Sequence, residues 1–249
     1  MKEFNIPYDG INLHAKLDMP ENINKCPLVI LIHGFTGHME EKHIIAAQEA
    51  MNSIGFAVLR VEMYGHGKSD GSFKDHTLYK WVTGALAVVD YAKTLDFVTD
   101  LYISGHSQGG LLVMLIAGMR PDDFKAVIPL SPAWMIPDSA RRGLLAGAEF
   151  DPEHIPDVLH IWGGQELGGN YARVAQTIHP EEAISRYNGP VLLVQGDADE
   201  AVPLEYAKKA AALYKNCKLV LIPGDTHCYD NHLDMMTDAV KEFLQSCEK

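Results

Sequence analysis

Along this chain, apolar residues gather into short uninterrupted runs, and the runs are separated by stretches with helical patterning. Residues 27–32 read Pro27-Leu28-Val29-Ile30-Leu31-Ile32, and similar runs follow at 56–61, 101–104, 126–130, 191–195 and 219–222. Runs of this length predict strands buried on both faces. Between them, 41–53, 79–93, 108–119, 204–214 and 233–245 are predicted as helices. Alternating strands and helices imply a mostly parallel central sheet with helices on both faces. Ahead of this pattern, 3–7 and 11–17 flank Tyr8-Asp9-Gly10, which is turn chemistry for an antiparallel hairpin.

One interval breaks the rhythm. From 132 to 188 no run suits a sheet strand, although the stretch is rich in Pro and Gly and holds Trp134, Phe150, Trp162 and Tyr171. A structureless loop of that length does not fit a compact domain. The interval is therefore read as a small inserted cap over the carboxyl ends of the strands, where open α/β sheets bind ligands. Residues 1–131 and 189–249 then form the core, and 132–188 the cap.

Composition changes this picture little. The 249 residues are 47% hydrophobic and 22% charged, ordinary for a globular α/β domain. The net charge of −12 argues against nucleic acid and anionic membranes as partners. No run reaches the roughly 18 apolar residues of a membrane span. The segment Met1-Lys2-Glu3-Phe4-Asn5 lacks the apolar core of a signal peptide, so a cytoplasmic protein is expected. Cys26, Cys217, Cys228 and Cys247 show no paired spacing, which predicts free thiols and neither zinc ligands nor a disulfide framework.

The chemistry begins at Gly105-His106-Ser107-Gln108-Gly109, between a predicted strand and a predicted helix. A serine with glycine two residues to either side, at such a turn, has the pattern of a nucleophile elbow. The glycines leave room for a strained turn, and the helix N-terminus favours developing negative charge. A serine hydroxyl needs a base, and the base needs an orienting acid; behind an elbow these follow in the order acid, then histidine. Asp199 lies in the loop after strand 191–195, with Asp197 as its rival; Asp197 directly follows Gly196 and suits a turn-fixing role. His227 lies in the loop after strand 219–222, whereas His232 falls at the start of the last helix. Asp225 is too near His227 in sequence to orient it and is read as a loop stabiliser. The two backbone donors of an oxyanion hole are expected at Gln108 and at Phe35, within His33-Gly34-Phe35-Thr36-Gly37. His33 is read as shaping that loop.

Other motifs are set aside. Gly65-His66-Gly67-Lys68-Ser69 contains G-K-S, but a P-loop needs glycine where Glu62 stands. His154 and His160 lack the spacing of a metal pair, and no metal or cofactor is expected. Trp134 and Trp162 either form the cap's own core or line the substrate pocket with Tyr171.

Taken together, these residues resemble those of α/β-hydrolase serine esterases, and within them bacterial cinnamoyl (feruloyl) esterases. The resemblance runs through His33–Gly37, the 60–71 segment, Gly105-His106-Ser107-Gln108-Gly109-Gly110, then Asp151-Pro152-Glu153-His154-Ile155-Pro156 and Gly168-Gly169-Asn170-Tyr171, closing on Asp199 and His227. Glu62-Met63-Tyr64 departs from it, since such esterases are expected to carry Asp-Phe-Asn there. The resemblance implies an α/β-hydrolase fold and hydrolysis of hydroxycinnamate esters, small molecules with an aromatic acyl group, through an acyl-enzyme on Ser107. A homodimer is one assembly open to it. The competing readings keep the triad with another substrate, as a monoacylglycerol lipase, short-chain carboxylesterase or acyltransferase, or keep only the scaffold as a non-catalytic binding protein.

Overall fold

The computed structural model describes residues 1–21 and 23–249. Eight strands form one sheet: β1 (Lys2–Tyr8), β2 (Ile11–Asp18), β3 (Cys26–Ile32), β4 (Ala57–Val61), β5 (Val98–His106), β6 (Ala126–Leu130), β7 (Val191–Gly196) and β8 (Cys217–Ile222). Their order is β1-β2-β4-β3-β5-β6-β7-β8. The hairpin β1–β2 is antiparallel and joins antiparallel to β4; from β4 to β8 every pairing is parallel. This is the mostly parallel sheet that the apolar runs imply, in the α/β-hydrolase arrangement that the resemblance implies.

The runs are continuous because both faces of the sheet are covered. On β3, Leu28, Ile30 and Ile32 pack with Trp81 and Val88 of α2 (Leu78–Ala92) and with Leu112 and Ile116 of α3 (Gln108–Met119). Val29 and Leu31 point the other way, into Ile44 and Met51 of α1 (Lys42–Ser53) and Val240 and Leu244 of α8 (Leu233–Cys247). Burying one such side chain stabilises by about 1.5–3 kcal/mol, so a polar residue on either face would be costly. Helix α3 is apolar all round and is buried from Gln108 to Gly118, as expected for a helix with protein on every side. No helix among the described residues is long and apolar enough to cross a membrane.

The interval from 132 to 188 contains no strand of the main sheet. It folds as α4 (Ile136–Arg141), a small hairpin of Leu144–Leu145 with Ala148–Glu149, a second of Val158–His160 with Glu166–Gly168, then α5 (Asn170–Gln176) and α6 (Pro180–Arg186). Arg141 of α4 ties these pieces together, donating to the Gln176 carbonyl at 3.1 Å and to the Ile178 carbonyl. The last helix differs from the rest. Helix α6 packs on α3, where Ala183 lies so close to Gly118 that an added Cβ would sit 2.5 Å from its backbone. Helix α6 is therefore packed against the core helix α3, although it lies within the 132–188 interval that the sequence pattern assigns to the cap.

That contact is testable. Gly118→Ala should lower stability by about 1–3 kcal/mol through overpacking, read as a reduced urea midpoint. An unchanged midpoint would mean that α3 and α6 do not meet as described.

Candidate active site

Ser107 closes the turn between β5 and α3 at φ 57° and ψ −119°, a conformation rare for any residue with a side chain. Its backbone is held on three sides. Its N–H donates to the Leu130 carbonyl at 2.9 Å, and its own carbonyl accepts from Leu111 and Ala133. The flanking glycines are dictated by contact: a Cβ on Gly105 would lie 2.4 Å from the Gly109 carbonyl oxygen, and one on Gly109 2.4 Å from that of His33. The pentapeptide is thus the place where the ends of β3 and β5 and the start of α3 meet backbone to backbone.

Across from the elbow, the loop after β3 is pinned by histidines. His33 is fully buried, with Nδ1 donating to the Gly34 carbonyl at 2.7 Å and Nε2 accepting from Met63 N–H at 3.0 Å. This supports its reading as a loop-shaping residue. His66 Nε2 reaches the Phe35 carbonyl, and the Phe35 ring packs on Phe73, His76 and Tyr171. The Phe35 and Gln108 backbone N–H groups donate to no protein acceptor among the described residues, which leaves both free for a ligand. Burial holds His33 and His76 uncharged, each pushed down to about 3.

Asp199 and His227 come together from the loops after β7 and β8. His227 Nδ1 lies 2.8 Å from Asp199 Oδ2, and the carboxylate is 1% exposed. Its other oxygen accepts from Ala201 and Val202 N–H, each at 2.9 Å, while Gln195 Nε2 donates to Oδ2. Such saturation keeps the carboxylate in one orientation. Asp197 instead accepts from Gly224 N–H at 2.6 Å, joining the two loops, and Asp225 accepts from Thr226, Asn231 and His232 N–H within its own. Both are placed as turn-fixing residues. His232 stands at the start of α8 and is exposed.

Ser107, His227, Phe35 and Gly34 share the wall of one cavity of 510 Å³, a size suited to a small organic ligand. The cap supplies most of the opposite wall: Met135, Ile136, Leu144, Leu145, Trp162, Leu167 and Tyr171. Trp162 is half-exposed at the rim, 6.2 Å from the Phe35 ring centre and edge-on. Tyr171 is buried at the back, where its hydroxyl donates to Gln108 Oε1. Trp134 corrects the sequence expectation: it does not line the cavity. The turn after Pro132 carries its ring away, to pack edge-on against Tyr206 at 6.2 Å beneath the Lys209 ammonium.

Some contributors escaped the sequence reading. Gln195 ends an apolar run as its only polar side chain, a signal that could have marked it. Tyr229 adopts φ 60° and is buried, donating from its hydroxyl to the Val194 carbonyl at 3.0 Å while accepting from Ser131. The contact of His106 was also missed: its Nε2 donates to the His227 carbonyl at 2.8 Å. Glu62, the departure in the 60–71 segment, is buried beneath the glycine loop, accepting from Lys68 N–H at 2.6 Å. A carboxylate in that position excludes a phosphate cradle.

Two outcomes follow from this geometry. Asp199→Asn should lower kcat by about 10⁴-fold, whereas Asp197→Asn should stay within about tenfold of wild type; equal losses would refute the assignment. Stability should fall in acid. Histidines of the unfolded chain titrate near 6.5, but His33 and His76 titrate at about 3 in the fold, so the unfolded state takes up protons first as pH drops. Their contribution is complete above pH 6.5 and is lost progressively down to about 3. Urea unfolding across that range should show the decline, and His76→Gln should flatten it.

Comparison with known proteins places the chain among hydrolases. The family described as "Serine aminopeptidase, S33" matches residues 24–167, and "TAP-like protein" matches 170–249. Est1E from Butyrivibrio proteoclasticus, solved with ferulic acid bound, is 63% identical with a TM-score of 0.97, covering 98% of this chain and 99% of its own. Human protein ABHD12B is 25% identical over 79% of this chain, and the rat mitochondrial palmitoyl-protein thioesterase ABHD10 27% identical over 72%. The chain spans only 54% and 61% of the lengths of those two relatives. By the match over 24–167 and an identity to Est1E that runs its whole length, the chain belongs to the serine aminopeptidase S33 family of α/β-hydrolases.

Proposed function

We infer that the protein is a carboxylic-ester hydrolase for hydroxycinnamate esters of the ferulate type, working through an acyl-enzyme on Ser107. One observation carries the reading: Ser107, Phe35 and an Asp199-held His227 line a single cavity with an apolar, aromatic wall, and the Phe35 and Gln108 N–H groups beside Ser107 have no protein acceptor among the described residues. The ferulic acid bound to Est1E supports the acyl group proposed here.

In this mechanism the ester carbonyl lies against Ser107 with its oxygen toward Phe35 and Gln108 N–H. His227 takes the Ser107 proton from Nε2 as the hydroxyl oxygen attacks, and Asp199 holds the ring so that Nδ1 keeps its proton. Charge collects on the carbonyl oxygen, where the two N–H groups contribute about 3 kcal/mol each. The tetrahedral intermediate collapses, the alcohol leaves with the proton from His227, and water repeats the sequence to release the acid. Tyr171 acts from behind, fixing the Gln108 side chain and so the start of α3. Trp162 at the rim and Phe35 at the base offer flat surfaces to the aromatic acyl group. Cytoplasmic location and assembly as a homodimer are part of the proposal, to be tested by fractionation and light scattering.

The decisive measurement is kcat/KM for methyl ferulate, p-nitrophenyl butyrate and a monoacylglycerol. Methyl ferulate should lead by at least about tenfold, the scale on which a shaped pocket discriminates. A preference for the monoacylglycerol would replace this reading with the lipase one. Ser107→Ala should abolish both hydrolysis and labelling by a fluorophosphonate; a wild-type chain that takes no label would leave only a binding protein.

A further inference from the structure

Behind Ser107 and His227 lies a group of side chains that ester hydrolysis does not use. His43 of α1, His106 of the elbow and Cys228 next to His227 each offer one donor atom, and the three atoms lie within 4.8 Å of one another. His43 Nε2 and His106 Nδ1 are both buried with no hydrogen-bond partner among the described residues, and both residues are 3% exposed. Orphaned polar atoms of this kind are costly in a folded protein and call for a ligand.

The tautomer of His106 is settled by its other contact. Nε2 faces the His227 carbonyl, which can only accept, so Nε2 carries the hydrogen and Nδ1 presents a bare lone pair. A histidine that donates one ring N–H to a backbone carbonyl and aims the other nitrogen at a vacant centre has the arrangement found around bound metals. Cys228 adds a soft donor as a free, half-buried thiol on the cavity wall, which gives an ion a route inward. The Glu41 carboxylate lies nearby, with Oε2 4.0 Å from His43 Nε2, and favours a cation there.

We propose that His43, His106 and Cys228 bind a zinc-class divalent transition metal ion, and that its binding stops hydrolysis. Two imidazoles and a thiolate, with solvent at the fourth position, suit tetrahedral zinc. Metal–nitrogen distances of about 2.0 Å and metal–sulfur of about 2.3 Å require donors about 3.3–3.6 Å apart. The set must therefore draw in by no more than about 1.5 Å. Binding releases the Cys228 proton to solvent and forms the metal–sulfur bond. The contraction pulls on the residues directly before Ser107 and directly after His227. Displacement of a reacting group by about 1 Å costs on the order of 10²-fold in rate. The ion with its Cys228 thiolate leaves one net positive charge, which opposes the positive charge that His227 carries while it holds the Ser107 proton. The inhibitory half of the proposal rests on the esterase reading above; the binding half does not.

The test is a cobalt titration of the metal-free full-length protein. Wild type should saturate at one equivalent, with a thiolate-to-cobalt charge-transfer band and tetrahedral ligand-field absorption. Cys228→Ser should lose the charge-transfer band, and His43→Gln should weaken binding by about tenfold or more. In parallel, one equivalent of zinc should lower kcat on methyl ferulate, and chelator should restore it. Absence of a saturable spectrum in wild type at millimolar cobalt overturns the proposal, and that result needs no variant to fold. The same band in Cys228→Ser overturns it too, as does stoichiometric zinc with unchanged kcat. Failure of the esterase reading would look different, with no hydrolysis in metal-free protein but an intact cobalt spectrum.

Discussion

Everything in this molecule hangs on a place where three backbones touch with no side chain between them. At the ends of β3 and β5 and the start of α3, Gly105 and Gly109 let backbone atoms approach to distances that a methyl group would forbid, and Gly34 lies against the Ser107 side chain. That contact puts Ser107 in a backbone conformation it would otherwise avoid by a few kcal/mol. The strain persists because the chain on either side is locked, upstream as a strand paired on both edges and downstream as a helix buried all round. Two N–H groups with no protein acceptor follow from the same geometry. A site for negative charge is thus a by-product of backbone packing and needs no cationic side chain.

Around that contact the protein places aromatic and imidazole rings where flexible side chains would be too soft. His33, His66, His76, Trp81, Phe35 and Phe73 form a stack of edge and tilted contacts with ring centres about 5 to 6 Å apart. Rings have few rotamers, so little entropy is lost in ordering them, and neutral imidazoles pin carbonyls without bringing charge into the core. On the other side, Asp199 is held by two backbone N–H groups and Gln195, and Tyr229 clamps the histidine loop to β7. The Phe35 side of the cavity is set by ring packing and the His227–Asp199 side by hydrogen bonds.

The sheet was legible because burial on both faces leaves no alternation to confuse with a helix: residues 27–32, 126–130 and 191–195 are nearly unbroken apolar runs. The elbow was legible for a related reason, since close backbone approach forces glycine at fixed offsets from the serine. The cap was only partly legible. Whether Trp134 or Trp162 faces the cavity depends on where short irregular segments turn, and local sequence does not encode that direction. Helix α6 was missed as a core element because its partner, Gly118, lies 65 residues away from Ala183 on α3. His106 shows the limit most clearly. Its contact with the His227 carbonyl spans 121 residues, and nothing near either position announces it.

The cap also has a topological property. It leaves the sheet after β6 and returns at β7, and those two strands are hydrogen-bonded neighbours. Its overhanging portion contributes no rung to the main ladder, so its length and sequence enter the stability of the core mainly through the entropy of closing a loop. That cost grows only logarithmically with length, by about 0.6 kcal/mol per doubling. Evolution can therefore rewrite, lengthen or exchange one contiguous stretch of the gene and change what the cavity admits, while Ser107, His227 and the two free N–H groups stay where the core puts them. The fold separates the reaction from the choice of reactant, and the two can drift at different speeds.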